Sequence, residues 1–385
     1  MVPPPALMEE LVEEILLRFP PDDPASLLRA ALVCKDWCRL VSGAAFRRRF
    51  REFHCTPPML GFVYRSGGHT RFMPTTSCPP PYADLPADWW PIDACHGRIL
   101  FYDNCAPPRS WPRDLIVCHP IMGDVQRVPT PRRPHMNYLW TAALLCAEAG
   151  CDHLDCPCGP FHLVLLVTDT SKMFTSAFVY SSEALTWSET TNVEHPPGLL
   201  VKGRPPALVG NALYFHLQGS TGILEYDVSK QELSLTRLPS VCKMWMWWPP
   251  TLMTAEDGGL GFVTVEEEKL IMWSREAGQN GRGWVQCRVI ELNTLLPVNS
   301  VTVSPEVVAY ADGVHIVLWS IDVGVFDIHL KLGRVTKVVE IKDSFYDVFP
   351  YLSFYTPRCA NYDQTLEVGG EDYVLQMLDM LRVLI

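Results

Sequence analysis

Five side chains with soft donor atoms, Cys146, Cys151, His153, Cys156 and Cys158, fall within thirteen consecutive residues. Thiolate and imidazole at that density are what zinc selects when it takes four ligands in a tetrahedron. The spacing matches no common knuckle, and Pro157 between the last two thiols restricts how they converge. The expectation is therefore a long inter-strand loop with buried thiols and no stoichiometric metal. Other chemistry is sparser. Gly219-Ser220-Thr221-Gly222 lacks the spacing of a nucleophile elbow, and neither a phosphate-binding glycine loop nor a zincin-type histidine pair occurs. Carboxylates and histidines are scattered and read as turn formers and satisfied polar groups. No catalytic residue and no cofactor is expected.

The elements that must carry these residues are mostly strands. The chain has 385 residues, of which 48% are apolar and 19% charged, enough for a large core and too apolar for disorder. Thirty-four prolines, 24 glycines and 12 tryptophans exclude an all-helical fold, since Pro and Gly break helices and aromatics fit pleated surfaces. Length suggests two or three domains, or a small one joined to one large β architecture. A net charge of −11 argues against nucleic acid as a partner. No window approaches the roughly 18 apolar residues of a membrane span, and the start of the chain lacks the basic-then-apolar order of a leader. A cytoplasmic or nuclear protein with reduced thiols is expected.

The first fifty residues differ from the rest. Leu7, Leu11, Val12, Ile15, Leu16 and Phe19 gather on one helical face, with Glu9, Glu10, Glu13 and Glu14 on the other. Pro20 and Pro21 end that helix; Asp23 can cap the next, with Pro24 in its first turn. Val33, Trp37, Leu40 and Val41 recur at helical spacing on a third helix, and Phe46 and Phe50 on a fourth. Residues 1–23 carry six acids against Arg18 alone, whereas residues 24–55 carry seven bases against Asp36 and Glu52. The basic run Arg47-Arg48-Arg49-x-Arg51 reads as a solvated helix face, with a nuclear signal or phosphate patch as the alternative.

The string LMEELVEEILLRFPPDDPASLLRAALVCKDWCRLV resembles an F-box. The match holds at Leu11, Glu14, Ile15, Leu16, Arg18, Pro20, Leu27, Leu28, Arg29, Val33, Cys34, Lys35, Trp37 and Arg39. Met8 stands where a proline is usual, and Phe19 replaces the leucine before Pro20. The resemblance implies docking on the Skp adaptor, and through it on a cullin scaffold with a RING subunit, as substrate receptor of an SCF ubiquitin ligase. Leu11, Ile15, Leu16, Pro20, Leu28, Val33 and Trp37 are the expected adaptor-binding patch, because so short a bundle has little core of its own to receive them. The alternative is a small domain packed on the rest of the chain.

From Met59 onward short apolar runs bounded by turn residues take over. Three segments resemble one another: His96-Gly97 before RILFY, Gly210-Asn211 before ALYFH, and Asp312-Gly313 before VHIVLW, each followed by two further strands around a tight turn. Looser copies lie at 161–189 and 261–292. The copies begin near 96, 161, 210, 261 and 312, and a period near 50 residues suits a propeller of four-stranded blades. Ala94 to Leu100, His119-Pro120 through Val128-Pro129, and Gly210 to Phe215 resemble the motifs of the F-box-associated β-propeller of plant F-box proteins.

The expected fold is thus α+β: a helical F-box at 1–50, a connection at 51–91 with a Pro-rich loop and a possible closing strand, a predominantly antiparallel β-propeller-like domain of about six blades at 92–357, and a tail at 358–385 with a helix. Leu60–Tyr64 paired with Tyr351–Tyr355 would complete the sixth blade and remove exposed edges. The substrate would be a protein, held at a propeller face by residues still unknown; Trp89, Trp90, Trp111, Trp140 and Trp245 to Trp248 are candidate anchors, though blade packing is the commoner use of tryptophan. A propeller enzyme with a helical docking module, or an F-box protein acting outside ubiquitination, are the alternatives.

Overall fold

A computed structural model describes residues 8–357 except 104–110, 133–137, 149, 152, 155, 157–158, 196–199, 202–204, 219–221, 240–249, 277–282, 297–304, 312, 321–322 and 341–345. The expected C-terminal helix and Trp245 to Trp248 lie outside the described residues.

Four helices open the chain: α1 (Glu9–Leu16), α2 (Pro24–Ala31), α3 (Lys35–Ser42) and α4 (Ala44–His54). Asp23 takes the N-cap position of α2, but its carboxylate accepts the Ser26 hydroxyl rather than a backbone N–H. The acidic first helix and the basic fourth are joined by ion pairs. Arg49 lies 2.7 Å from both Glu13 and Glu14, which also holds Arg18 at 3.1 Å. These bonds pull the Glu14 carboxyl below its ordinary range and raise the Arg49 guanidinium. The basic run is therefore partly spent within the bundle: Arg49 is paired to α1 and Arg51 is buried.

The strands begin with the hairpin β1 (Met59–Ser66) and β2 (His69–Pro74). Its turn is Gly67–Gly68, both at positive φ, as a two-residue turn matching the strand twist requires. Blade one follows as β3 (Trp89–Cys95), β4 (Arg98–Asp103), β5 (Asp114–His119) and β6 (Asp124–Pro129). Blade two is β7 (Tyr138–Cys146), β8 (Phe161–Asp169), β9 (Phe174–Ser181) and β10 (Thr186–Glu194). In blade three the innermost strand is interrupted: β11 (Leu200–Val201) and β12 (Ala207–Val209) both pair with β13 (Ala212–Gln218), followed by β14 (Gly222–Asp227) and β15 (Glu232–Arg237). Blade four is β16 (Thr251–Thr254), β17 (Leu260–Glu266), β18 (Lys269–Arg275) and β19 (Trp284–Glu291). Blade five is β20 (Glu306–Ala311), β21 (His315–Ser320), β22 (Gly324–His329) and β23 (Arg334–Val339). All pairings are antiparallel.

The last strand, β24 (Tyr346–Leu352), returns to pair with β1 and becomes the inner strand of a sixth blade in the order β2-β1-β24. The inner strands neighbour one another around the ring: β3 meets β7, β7 meets β11, β12 meets β16, β16 meets β20, and β24 meets both β20 and β3. The repeated segments seen in the sequence start on the second strand of each blade; the first strand precedes each copy. The stretch 51–91 holds the last turn of α4 and the hairpin of blade six. The closing ladder runs Met59↔Leu352, Val63↔Phe349 and Arg65↔Tyr346, displaced from the expected partner. Phe354 and Tyr355 leave the sheet and enter the core shared with the helices.

That core contains Leu16, Leu28, Val41, Phe46 and Phe50 of the four N-terminal helices together with Leu60, Trp89, Phe101, Ile116 and Tyr351 of the strands. Phe50 meets the Phe354 ring edge-on at 6.1 Å. Four short helices cannot bury enough apolar surface alone, and they complete their interior with blades six and one.

Asp93 couples blades one and two. Its Oδ2 accepts the Leu144 N–H at 2.8 Å and its Oδ1 the Ala94 N–H at 2.8 Å. Burial pushes its carboxyl up to about 7, against the lowering effect of the two N–H donors. Between about pH 4 and about pH 7 the folded state retains a proton that the unfolded state releases, so this group's contribution to stability falls as pH rises through that window. The urea midpoint of the wild type, taken relative to Asp93→Asn, should therefore decrease between about pH 5 and about pH 7.5. Parallel pH dependences for the two proteins would show the carboxyl to be ionised throughout.

Candidate functional site

The helical module exposes an apolar edge. Met8 is 63% exposed, Leu11 49%, Ile15 50% and Val33 64%, and Pro20 is also at the surface. Leu16 and Leu28, expected in the adaptor patch, are instead 0% and 1% exposed and belong to the shared core, while Trp37 is half-buried against it. The physical reason is rotation of α1: Val12, Leu16 and Leu17 point inward, which turns Leu11 and Ile15, one position back, to solvent. Met8 was missed as a surface residue, although its spacing of 3 and 7 to Leu11 and Ile15 puts it on their stripe.

The two ends of the propeller are chemically distinct. The chain passes from α4 to β1 at the end that carries the His96–Gly97 turn, where the Tyr351 hydroxyl donates to the Gly97 carbonyl at 3.0 Å. The opposite end carries the β4–β5 and β6–β7 connections, and most of the described candidate tryptophans sit there. The Arg65 guanidinium lies 3.3 Å above the Trp90 ring and pairs with Asp347 at 2.8 Å. Trp90 meets Tyr102 at 5.8 Å, and Tyr102 meets Trp140 edge-on at 4.9 Å. Trp111 packs on Tyr138 at 6.3 Å. Burial pushes the Tyr102 phenol up to about 12, with Arg65 acting in the opposite sense. Trp90, Tyr102 and Trp140 are each half-buried, joining blades six, one and two in one aromatic belt. Trp89 is nearly buried and packs on Phe101, as a core residue.

A cavity of about 540 Å³ lies among the inner strands and is lined by Asp93, His96, His216, Tyr310 and Tyr351, with Cys55 to Pro57 from the end of the helical module. Burial and the proximity of His153 and Arg98 bring the His96 imidazole down to about 4, so it is neutral at physiological pH.

At the same end, the loop between β7 and β8 gathers Cys146, Cys151, His153 and Cys156, whose donor atoms all lie within 4.8 Å of one another. Cys151 Sγ is 3.3 Å and His153 Nδ1 3.2 Å from Cys156 Sγ. Burial, with Cys151 and Cys146 adding to it, drives the Cys156 thiol far up, and burial also raises Cys146. Convergence of Cys156 and Cys158 across Pro157, which the sequence disfavours, is not needed. The set that comes together uses Cys146 from the strand end, and Cys158 lies outside the described residues. Among the described residues, no helix is long and apolar enough to cross a membrane.

Residues 7–49 match the F-box domain family, and residues 92–358 match the family described as F-box protein AT5G49610-like, beta-propeller. Among curated proteins none matches the chain. Solved structures with similar architecture include one titled Crystal structure of Nidogen/Laminin Complex, at 12% identity over 76% of this chain and 98% of that one, with a TM-score of 0.40. TolB from Acinetobacter baumannii is 12% identical over 81% of this chain and 72% of its own, with a TM-score of 0.39. A protein from Lactobacillus plantarum is 11% identical, covering 73% and 82%, with a TM-score of 0.40. The family match spans well over half of the chain, covers blades one to five from Ile92 together with the closing strand β24, and follows a helical module matched separately, so the protein belongs to the F-box proteins with an AT5G49610-like β-propeller.

Proposed function

We propose that this protein is the substrate receptor of an SCF-type ubiquitin ligase, acting in the cytoplasm or nucleus. The F-box docks on a Skp-type adaptor and, through it, on cullin and RING subunits; the propeller holds a protein substrate. The chain itself contributes no catalysis, and ubiquitin transfer belongs to its partners. The observation that carries this reading is the F-box match on helices whose apolar edge, at Met8, Leu11 and Ile15, is left uncovered while the rest of the module is fused to the propeller core. An apolar helix edge of this kind suits a partner's helical groove.

The aromatic belt at the end away from the F-box is the substrate surface in this reading, because tryptophan, tyrosine and arginine dominate interface energetics. Affinity purification in the presence of a cullin-ligase inhibitor should enrich proteins that are absent without it. Stability of those proteins on depletion of the receptor then separates ubiquitination from other F-box roles: unchanged turnover would remove the ligase reading. Replacing Trp90 and Trp140 together with alanine should lower recovery of the enriched substrate at least about tenfold, with adaptor recovery unchanged. Undiminished capture would place the substrate elsewhere on the propeller.

A further inference from the structure

The loop at 147–160 is long for a hairpin connection, and loops of that length within a compact domain usually need something to hold them. Among its described residues the backbone hydrogen bonds are Ala147 N–H to the Pro160 carbonyl at 3.0 Å, Gly159 N–H to the Cys156 carbonyl at 3.0 Å and a longer one from Cys151 N–H to the Glu148 carbonyl at 3.4 Å. Cys146 is fixed independently, as the last residue of β7 paired with Phe161. The other three donors are brought to it by the loop.

We propose that Cys146, Cys151, His153 and Cys156 bind one Zn²⁺ in a closed, structural S₃N site. A tetrahedral zinc with Zn–S near ~2.3 Å and Zn–N near ~2.0 Å has S···S edges of about 3.8 Å and S···N edges of about 3.5 Å. The gathered donors, at 3.2 Å and 3.3 Å for the two closest pairs and within 4.8 Å overall, form a cage of that size. Three thiols turned toward one another without a shared ion have only weak S–H donors to exchange, whereas thiolates around a dication satisfy every lone pair directed inward. The His153 N–H points at Cys151 Sγ at 3.4 Å, the backbone support a thiolate ligand uses. Three thiolates and a neutral imidazole leave the site with one net negative charge. Buried Arg98 donates to the Gly159 carbonyl of the same loop, placing a fixed positive charge beside it.

Soft sulfur donors with one imidazole select zinc over hard cations, and four protein ligands leave no position open for substrate or water, so the site is structural rather than catalytic. Its mechanical effect is local. The His153 ring stacks on His96 of blade one at 4.3 Å and 11°, and Leu154 packs against the core shared by blade one and the F-box. The metal holds blade two's loop against both.

The test uses the full chain co-expressed with a Skp-type adaptor in zinc-supplemented medium and purified without chelator. Elemental analysis should return about one zinc per chain, and exchange with Co²⁺ should give the absorption of a tetrahedral thiolate-rich centre. Cys156→Ser, and Cys151→Ser combined with His153→Ala, should lose the metal, while Cys158→Ser should keep it. Because ligand variants can fail to fold, the wild type is also titrated with a mercurial while a chromophoric indicator reports zinc; after exposed thiols such as Cys34, Cys55 and Cys287 have reacted, about three thiols modified per zinc released is the expected ratio in the phase where zinc leaves. A wild type with less than about 0.2 zinc per chain, a Cys151–Cys156 disulfide found by intact mass, or metal loss in Cys158→Ser equal to that in Cys156→Ser would each overturn the assignment.

Discussion

Replacing Leu11 and Ile15 together with alanine should weaken binding to a Skp-type adaptor at least about tenfold while leaving the thermal midpoint of the chain within about 2 °C of wild type. Both side chains are about half exposed on the free protein and lie outside its buried core, so alanine removes little internal packing. A well-seated interface anchor is typically worth about 2 kcal/mol, and 1.4 kcal/mol is tenfold in affinity. Leu28→Ala provides the contrast. Leu28 is enclosed in the core shared by the helices and the propeller, so its truncation should cost about 2–5 kcal/mol of stability and reduce adaptor binding only as far as it unfolds the module. Isothermal titration and thermal unfolding on the two variants separate these outcomes. If Leu11 and Ile15 can be truncated without loss of affinity, the docking edge lies elsewhere on the F-box.

Tyr351→Ala should be the most destabilising single change in the propeller, at about 3–5 kcal/mol. The side chain is fully buried on the closing strand, meets Phe72 edge-on at 6.0 Å, and its hydroxyl donates to the Gly97 carbonyl of blade one. It therefore ties the inner strand of blade six to β2 on one side and to the next blade on the other. Tyr351→Phe keeps the ring but removes the hydroxyl that serves the Gly97 carbonyl, Ser353 and the Ile121 backbone, for a loss of about 1–3 kcal/mol. Urea unfolding reads both. Removal of everything from Tyr346 onward takes away β24 altogether and should yield insoluble protein, since β1 would present an unpaired apolar edge. A soluble, cooperatively folding truncation would show that the ring does not need its last strand.

Much of this architecture is legible in the residues. The F-box helices follow from a 3.6-residue apolar period interrupted by Pro20 and Pro21, and the blades from a repeat near 50 residues. The phase of each repeat is harder to read. The conspicuous apolar runs are second strands such as β4 and β8, buried on both faces, whereas the first strands carry Pro91 in β3 or a break between β11 and β12. In α1, periodicity groups Leu11, Val12, Ile15 and Leu16 without saying which edge faces inward, because that depends on where the propeller lies. The cysteine cluster shows the same limit. Cys146 reaches the loop thiols only through the β7–β8 register that sets it opposite Phe161, a pairing that no spacing within the loop encodes. The aromatic belt joins Arg65, Trp90 and Trp140, far apart in sequence and close only once the ring is closed.

That closure bears on the order in which the protein is made. Arg65 and its partner Asp347 are 282 positions apart, and at ribosomal speeds of roughly 5–20 residues per second the second partner emerges on the order of tens of seconds after the first. Throughout that interval the F-box helices are already outside the ribosome, but Phe354 and Tyr355, which complete their interior, are not. A nascent or prematurely terminated chain thus carries the F-box helices without two of the residues that complete their core. Sharing one core between Phe354, Tyr355 and the helices delays a fully packed F-box until the propeller exists, and under the proposed function incomplete receptors would then not compete for the adaptor.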